Sequence, residues 1–298
     1  MIQKISIVGG GEIGGAISYI ATHAGINYSI WDKNPTKSSA LSPEQCFQET
    51  DIIFFCIPSW ALRIALTELS PIFPSAVPIV FVSKGLEELT GFTAPEIASE
   101  FIEKERIVFM GGPMIAEEII AGKGGCAVLG GEIKTTSLVA QIFNNSSIYV
   151  ETEQDAFSIA LLGVLKNIYA IAFGAAEGMG KGDNIKAYLF AKSVCEMDII
   201  CRALGGEISA ISSAGIGDLL ATSISSNSSN RKAGFDFASG ITTTQNSEGA
   251  NSVNALMARI KNCAQDRTQA ALPVMSLVCD IITNKSINLE AWNKITKK

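Results

Sequence analysis

Along the first half of the chain, short apolar runs alternate with longer stretches in which apolar residues recur at helical spacing. The runs at 3–8 (QKISIV), 28–31, 51–58 (DIIFFCIP), 78–87 (PIVFVSKGLE), 106–113 (RIVFMGGP), 125–131 (GCAVLGG) and 147–151 (SIYVE) predict strands. In DIIFFCIP the hydrophobicity is continuous rather than alternating, as a strand buried on both faces requires. Helical periodicity follows the first run and returns at 59–69, 95–102, 115–121 and 134–143. Strand and helix in regular alternation, with short connections, predict a doubly wound parallel sheet. A linker rich in Ser and Pro separates the second and third runs at 34–45. From about residue 152 the strand signal stops, and helical patterns succeed one another at 153–177, 185–204, 216–223, 230–238, 249–263, 273–284 and 288–295. The chain therefore divides into an α/β domain over 1–151 and an all-helical domain over 152–298, with no internal repeat and a Ser/Asn loop at 223–230.

One element stands out from this pattern. Residues 156–176, AFSIALLGVLKNIYAIAFGAA, are apolar almost throughout yet carry Lys166 and Asn167 at the centre. Burial disfavours the charged form of a lysine and draws its pKa down, which makes it able to exchange protons near neutrality. The other reading is structural, a lysine that snorkels or pairs with a carboxylate. The run is long enough to span a bilayer, but its two central polar residues would sit at the midplane without a second span to shelter them, so a buried core helix is expected.

Composition narrows the function. The 298 residues suffice for two domains and a substantial core, and 47% hydrophobic residues with 27 glycines suit a compact α/β protein. A net charge of -6 without blocks of like charge argues against nucleic acid and anionic membranes as partners. The N-terminus runs straight into a strand without signal-peptide features, so a cytoplasmic location is expected. Seven cysteines without a CxxC pair read as reduced, buried thiols. A single histidine, His23, near the end of the first helix, excludes a multi-histidine metal site and leaves proton transfer to lysines or carboxylates.

The first strand is followed by GGGEIGGA, in which Gly9, Gly11 and Gly14 form GxGxxG with Glu12 and Ile13 between them at the start of a helix. Such glycines permit a tight turn and let a pyrophosphate approach the backbone at the positive end of the helix. Asp32, 18 residues beyond Gly14 at the end of the second strand, stands where the fingerprint needs an acid for the ribose hydroxyls. A carboxylate there repels a 2′-phosphate and favours NAD over NADP, while Lys33 beside it leaves the choice open. Pro58, Lys84 and Gly111–Pro113 fall, like the glycine turn, at carboxyl ends of strands, where open sheets bind their ligands.

Taken with SKGLE (83–87), GPMIAEE (112–118), GVLKNIYAIAFG (163–174), EGMGKGDNIKA (177–187), SAGIGDLLAT (213–222), SNRKAG (229–234) and SEG (247–249), the glycine turn makes a collinear set. In this the chain resembles the NAD(P)-dependent glycerol-3-phosphate dehydrogenases of the bacterial type. The resemblance implies a Rossmann-like first domain and an all-α second domain like that of 6-phosphogluconate dehydrogenase. It implies a cytoplasmic oxidoreductase moving a hydride between NAD and glycerol 3-phosphate or dihydroxyacetone phosphate, in carbohydrate metabolism and the supply of phospholipid precursors. Lys166 would be the general acid/base, Lys84 a second cation at the reacting oxygen, Asn167 a substrate hydrogen-bond partner, and Asp218 and Thr222 the residues that orient the lysine and bind substrate. Two lysines at one site are also expected to lower each other's pKa. Cofactor contacts are implied for the glycine turn, Asp32, Pro58, Lys84, Ala116, Arg231 and Glu248, and substrate contacts for Lys84, Gly112, Lys166, Asp218, Ser229 and Asn230.

The chain departs from the family pattern at four places. Ser229 stands where an arginine usually grips the substrate phosphate. Lys181 replaces an apolar residue and offers a substitute cation, Met114 replaces a Ser or Thr, and the linker between Asp32 and Asp51 is much shorter than in the family. These leave two alternatives, a dehydrogenase of the same superfamily acting on another small anionic hydroxy or keto compound, and a catalytically silent NAD-binding regulator. The apolar helical half also allows a homodimer.

Overall fold

The computed structural model describes residues 2–241, 247–263, 272–287, 292–293 and 295. The chain forms two compact units, Met1–Ser83 with Thr93–Ala160, and Lys84–Phe92 with Leu161–Lys298. Residues 84–92, which the sequence pattern leaves with the first half, thus belong to the second unit.

The first unit is built on seven strands, β1 (Lys4–Val8), β2 (Asn27–Trp31), β3 (Ile52–Phe55), β4 (Ile79–Phe81), β5 (Ile107–Gly111), β6 (Gly125–Gly131) and β7 (Ile148–Glu153), in the order β2-β1-β3-β4-β5-β6-β7. Ile5, Ile7, Ile52–Phe55 and Ile79–Phe81 are fully buried, the unbroken apolar run of β3 on both faces of the sheet. The helices of this unit are α1 (Glu12–His23), α2 (Pro43–Phe47), α3 (Leu62–Leu69), α4 (Ala94–Ala98), α5 (Ala116–Ile120) and α6 (Ile133–Ala140). Between β1 and β3 the strand order reverses, the switch point at which such sheets bind ligands.

The sheet is parallel from β2 to β5, but β6 runs antiparallel to β5, with Val108 opposite Gly131, and β7 is parallel to β6. The expected doubly wound parallel sheet is thus present, with one antiparallel pairing inside it. The five residues of α5 span only about 7.5 Å, too little to carry the chain back along the sheet. It doubles back at Pro113 instead, whose carbonyl accepts from Cys126 N at 3.1 Å. The 34–45 linker is also more ordered than expected: Pro35–Lys37 form a 3₁₀ turn, and Ser42 Oγ caps α2 by accepting from Gln45 N.

The second unit is helical: α7 (Ala156–Gly178), which begins at the end of the first unit, α8 (Asp183–Ala203), α9 (Asp218–Ile224), α10 (Ser229–Ala238), α11 (Glu248–Cys263) and α12 (Pro273–Asn284). The helix expected at 288–295 lies outside the described residues apart from 292, 293 and 295. Of the most apolar 18-residue window of α7, 89% is buried inside the protein. It is therefore a core helix, as its central polar pair requires. Glu196 of α8 holds two neighbours to this core, accepting from Val274 N and Met275 N in the first turn of α12 at 2.7 and 2.9 Å and from Tyr169 Oη of α7 at 2.9 Å. Burial pushes the pKa of this carboxyl up, and that of the Tyr169 phenol as well.

The expectation of buried thiols holds only in part. Cys46 and Cys201 are buried and Cys56, Cys126 and Cys279 half-buried, but Cys195 and Cys263 face solvent because they lie on the outer sides of α8 and α11. Burial pushes the Cys56 thiol up to about 12.

Helix α10 crosses α7 at a distance only glycine allows. A Cβ on Gly234 would lie 1.9 Å from the Ile171 carbonyl oxygen, and one on Gly174 only 1.7 Å from that of Arg231. The substitution Gly234→Ala is accordingly expected to cost about 1–3 kcal/mol or more by overpacking. Calorimetry would register this as a lower unfolding temperature; an unchanged transition would refute the tight crossing.

Candidate active site

In the first unit the three glycines of the turn have distinct tasks. Gly9 has φ +102°, and a Cβ on it would strike the Cys56 carbonyl at 2.5 Å. Gly14 packs α1 onto β1 so closely that a Cβ would meet the Gly9 carbonyl at 2.0 Å. At Gly11, the N-cap of α1, nothing lies within 4 Å of where a Cβ would stand, and no side chain caps the helix. Glu12 and Ile13 begin the helix, so their N–H groups border that open space. A helix start left open in this way fits the pyrophosphate of a dinucleotide.

Asp32 stands beside it, its Oδ2 accepting from Gly10 N at 2.7 Å and its Oδ1 from Asn34 N at 2.8 Å. Lys33 is drawn away onto Glu68 at 3.3 Å. Pro58 follows β3 and precedes a 3₁₀ turn, and Gly112, at the carboxyl end of β5, has φ +89°. Ala116 is 4% exposed and its methyl belongs to the hydrophobic core, because the first turn of α5 lies against α1.

The second unit gathers the predicted chemistry on one carboxylate. Asp218 opens α9 directly after a π-helical turn at Ser213–Gly217, itself capped by Ser212 Oγ on Gly215 N. Such turns recur at functional sites. Lys84 Nζ lies 2.5 Å from Asp218 Oδ2, and Lys166 Nζ lies 3.2 Å from Asp218 Oδ1. Lys166 Nζ also donates to Thr222 Oγ1 at 2.7 Å, one helical turn beyond Asp218. The side chains of Lys84, Lys166 and Asp218 are only 17%, 11% and 4% exposed. Burial lowers the Lys166 pKa to about 8; the Lys84 charge lowers it too, and Asp218 opposes both.

Glycine again makes the approach possible. The stem of Lys84 passes over α7 at Gly163, where a Cβ would lie 3.2 Å from Lys84 Cγ. Asn167 donates from Nδ2 to the Lys84 carbonyl at 2.9 Å, so this amide anchors the backbone that presents Lys84. Expected as a substrate partner, Asn167 is first of all a support of the lysine. Gly249 lets the start of α11 close in on α7, a Cβ there being 2.5 Å from the Asn167 carbonyl, and its N–H donates to Asn230 Oδ1 at 2.9 Å. Asn230 and Glu248 are thereby drawn to the central part of α7, and Ser229 stands exposed at the first position of α10.

Two predicted residues do not join this cluster. Arg231 forks onto Glu177, with Nε and Nη2 each 2.9 Å from a carboxylate oxygen, and Nη1 donates to the Ser225 carbonyl. Its guanidinium is therefore engaged within the helical unit rather than offered to a cofactor. Lys181 lies beyond the end of α7, about 18 Å or more along the helix from Lys166, with its ammonium 5.8 Å from the Trp292 ring centroid. It is too far from Lys166 to replace a cation at a small substrate. Sequence reasoning overlooked the enabling role of Gly163. Its signal was present, a glycine inside a strongly apolar helix three residues from the lysine.

Comparison with known proteins finds two family models that match the chain. The sequence model of the NAD-dependent glycerol-3-phosphate dehydrogenase N-terminus matches residues 41–136, and that of the corresponding C-terminus matches residues 155–293. The glycerol-3-phosphate dehydrogenase [NAD(P)+] of Fusobacterium nucleatum subsp. nucleatum is 30% identical, covering 98% of this chain and 96% of its own. That of Halothermothrix orenii is 27% identical, covering 99% and 95%. Among solved structures, the glycerol-3-phosphate dehydrogenase of Coxiella burnetii shares the fold with a TM-score of 0.89 at 20% identity, covering 100% of this chain and 99% of that one.

The lysine cluster makes a checkable electrostatic statement. Followed by NMR of its Cε, Lys166 is expected to titrate with a midpoint near 8, against about 10.4 for a free lysine. Asp218→Asn removes the attraction that favours the charged form and moves the midpoint lower still. A midpoint near the free value would show that burial does not govern this amine.

Proposed function

The chain belongs to the NAD-dependent glycerol-3-phosphate dehydrogenase family, and from that premise we propose that it interconverts glycerol 3-phosphate and dihydroxyacetone phosphate, with Lys166 as the general acid/base. The observation that carries this reading is the Lys166–Asp218–Lys84 cluster: a buried lysine with a pKa near 8, held between a hydroxyl and a carboxylate. A binding protein without turnover has no use for such a proton relay.

In this reading the first unit holds the dinucleotide at Gly9–Gly14 with Asp32 beside it, and the second holds the substrate. NAD supplies the hydride chemistry when bound, and Asp32 favours it over NADP. Lys166 places its proton on the carbonyl oxygen as the ketone is reduced, or takes it from the carbinol in the reverse direction. A pKa near the operating pH suits both tasks. The Lys84 ammonium stabilises negative charge developing on the same oxygen. Asp218 keeps the two ammonium groups together, and Thr222 fixes the direction of Lys166 Nζ. The enzyme works in the cytoplasm, as a homodimer through its helical half, where Leu220 and Ile224 of α9 stand exposed.

The sign of the pH dependence follows. Ketone reduction needs protonated Lys166, so kcat declines as pH rises through about 8; alcohol oxidation needs the neutral amine, so its kcat climbs through the same range. The variant Lys166→Met is expected to lose kcat by about a hundredfold to ten-thousandfold while still binding NADH, measured by cofactor fluorescence. Equal turnover by the variant would sink the assignment.

Ser229 generates a second expectation. It can give one hydrogen bond but no charge, whereas an arginine offers a bidentate, charge-assisted grip on phosphate. Ser229→Arg is expected to lower the KM for dihydroxyacetone phosphate about tenfold or more. If the KM for that ketone does not fall, phosphate binding does not involve the first turn of α10.

A further inference from the structure

The Lys84–Phe92 segment is the only part of the chain's first half within the second unit, and it arrives there as a closed loop: Glu87 N donates to the Phe92 carbonyl at 2.9 Å and Gly91 N to the Glu87 carbonyl at 2.9 Å. Its start, the Lys84 backbone, hangs on Asn167. The rest lies along one face of α11. Leu86 N donates to Ser252 Oγ at 2.9 Å, and Arg259 Nη1 donates to the Gly91 carbonyl at 3.0 Å, with the guanidinium over the Phe92 ring. Seven residues separate Ser252 from Arg259, which puts both on the same side of the helix two turns apart. Gly91, with φ +71°, lets the loop lie so close that a Cβ would be 3.3 Å from the Ala255 carbonyl between them.

Ser252 is completely buried, and its hydroxyl is used in both directions, donating to the Glu248 carbonyl at 2.7 Å while accepting from Leu86 N. The Leu86 amide is buried with it and has its partner in that one oxygen. Two residues before Leu86 stands Lys84, whose stem crosses α7 at Gly163 before its ammonium meets Asp218. A lysine side chain is flexible, so where its charge arrives depends on where its backbone is held.

We propose that Ser252 and Arg259 are positioning residues, which clamp the 84–92 loop to α11 so that the Lys84 ammonium is delivered to Asp218. The inference rests on the reading of Lys84 as an active-site cation. It differs from a merely structural role because it makes the effect of the clamp depend on the presence of that one ammonium.

A double-mutant cycle on the full-length enzyme tests it, with initial rates of NADH oxidation by dihydroxyacetone phosphate and the folded state checked by circular dichroism. Lys84→Ala alone is expected to reduce kcat, and Ser252→Ala to reduce it by tenfold to about a hundredfold, the range that displacement of a catalytic group by about 1 Å produces. NADH binding by Ser252→Ala is expected to stay as it was. Arg259→Ala acts in the same direction at the far end of the clamp and keeps the test open should Ser252→Ala not fold. In the Lys84→Ala background both substitutions are expected to have no further effect on kcat. Equal losses in both backgrounds would overturn the inference, as would full activity of Ser252→Ala and Arg259→Ala. Full activity of Lys84→Ala would overturn the reading of Lys84 itself, an outcome distinct from failure of the clamp.

Discussion

Asp218 is one carboxylate facing two ammonium groups where little water reaches, and the helical unit depends on that imbalance. Each oxygen is committed, Oδ2 to Lys84 and Oδ1 to Lys166. Without the carboxylate two like charges would be left together in a poorly solvated place, which is far more costly than any single lost hydrogen bond. With it, the cluster still carries one positive charge more than it neutralises. An excess of positive charge at low exposure is what a site needs if it is to receive an anionic substrate and stabilise an oxygen on which negative charge develops. The same imbalance keeps Lys166 near the middle of its titration at ordinary pH, since burial and Lys84 push its proton off while Asp218 holds it on.

The residues of this cluster come from separate stretches of chain, and they meet because backbone is allowed to approach backbone. Gly163 admits the stem of Lys84 to the surface of α7, and Gly249 admits the first turn of α11 to the carbonyl of Asn167. Gly174 and Gly234 let α10 lie across α7. Glycine inside a helix is unfavourable by about 1 kcal/mol relative to alanine. Its repeated use at these contacts shows that closeness outweighs helix propensity here. The π-helical turn leads directly into α9, which Asp218 opens, and the four-residue spacing within that helix puts Thr222 on the same side.

Local features of this design were legible in the sequence, and those that depend on distant partners were not. The glycine turn could be read residue by residue, because each glycine answers a constraint within a few residues of itself. The strand runs and the buried lysine of α7 were legible as hydrophobic patterns. The reversal of β6 was not, because periodicity carries no information about strand direction. Lys84 was expected near the reacting oxygen, but its loop was expected to stay with the sheet; only three-dimensional anchoring by Asn167, Ser252 and Arg259 assigns it to the helical unit. Arg231 and Lys181 show the same limit from the other side. A cation in a motif looks available until its partner is known, and those partners, Glu177 and Trp292, lie 54 and 111 positions away. The two exposed cysteines were misjudged because the apolar surroundings of a residue in sequence do not fix which side of a helix it occupies.

The replacement of the usual arginine by Ser229 can be weighed against this electrostatic arrangement. A guanidinium at the start of α10 would hold a phosphate by directed, paired hydrogen bonds. Arg231 cannot take over that task while it forks onto Glu177, and Lys181 is too remote. In the proposed reaction the anionic end of the substrate is then attracted by the uncompensated charge of the Lys84–Asp218–Lys166 group and met by hydroxyl and amide donors from Ser229 and Asn230. Attraction of that kind falls slowly with distance and is indifferent to the geometry of the anion, whereas a paired guanidinium selects for it. Discrimination among small anionic ketones then rests on how the carbonyl is placed against Lys166 and Lys84 more than on the group that carries the charge.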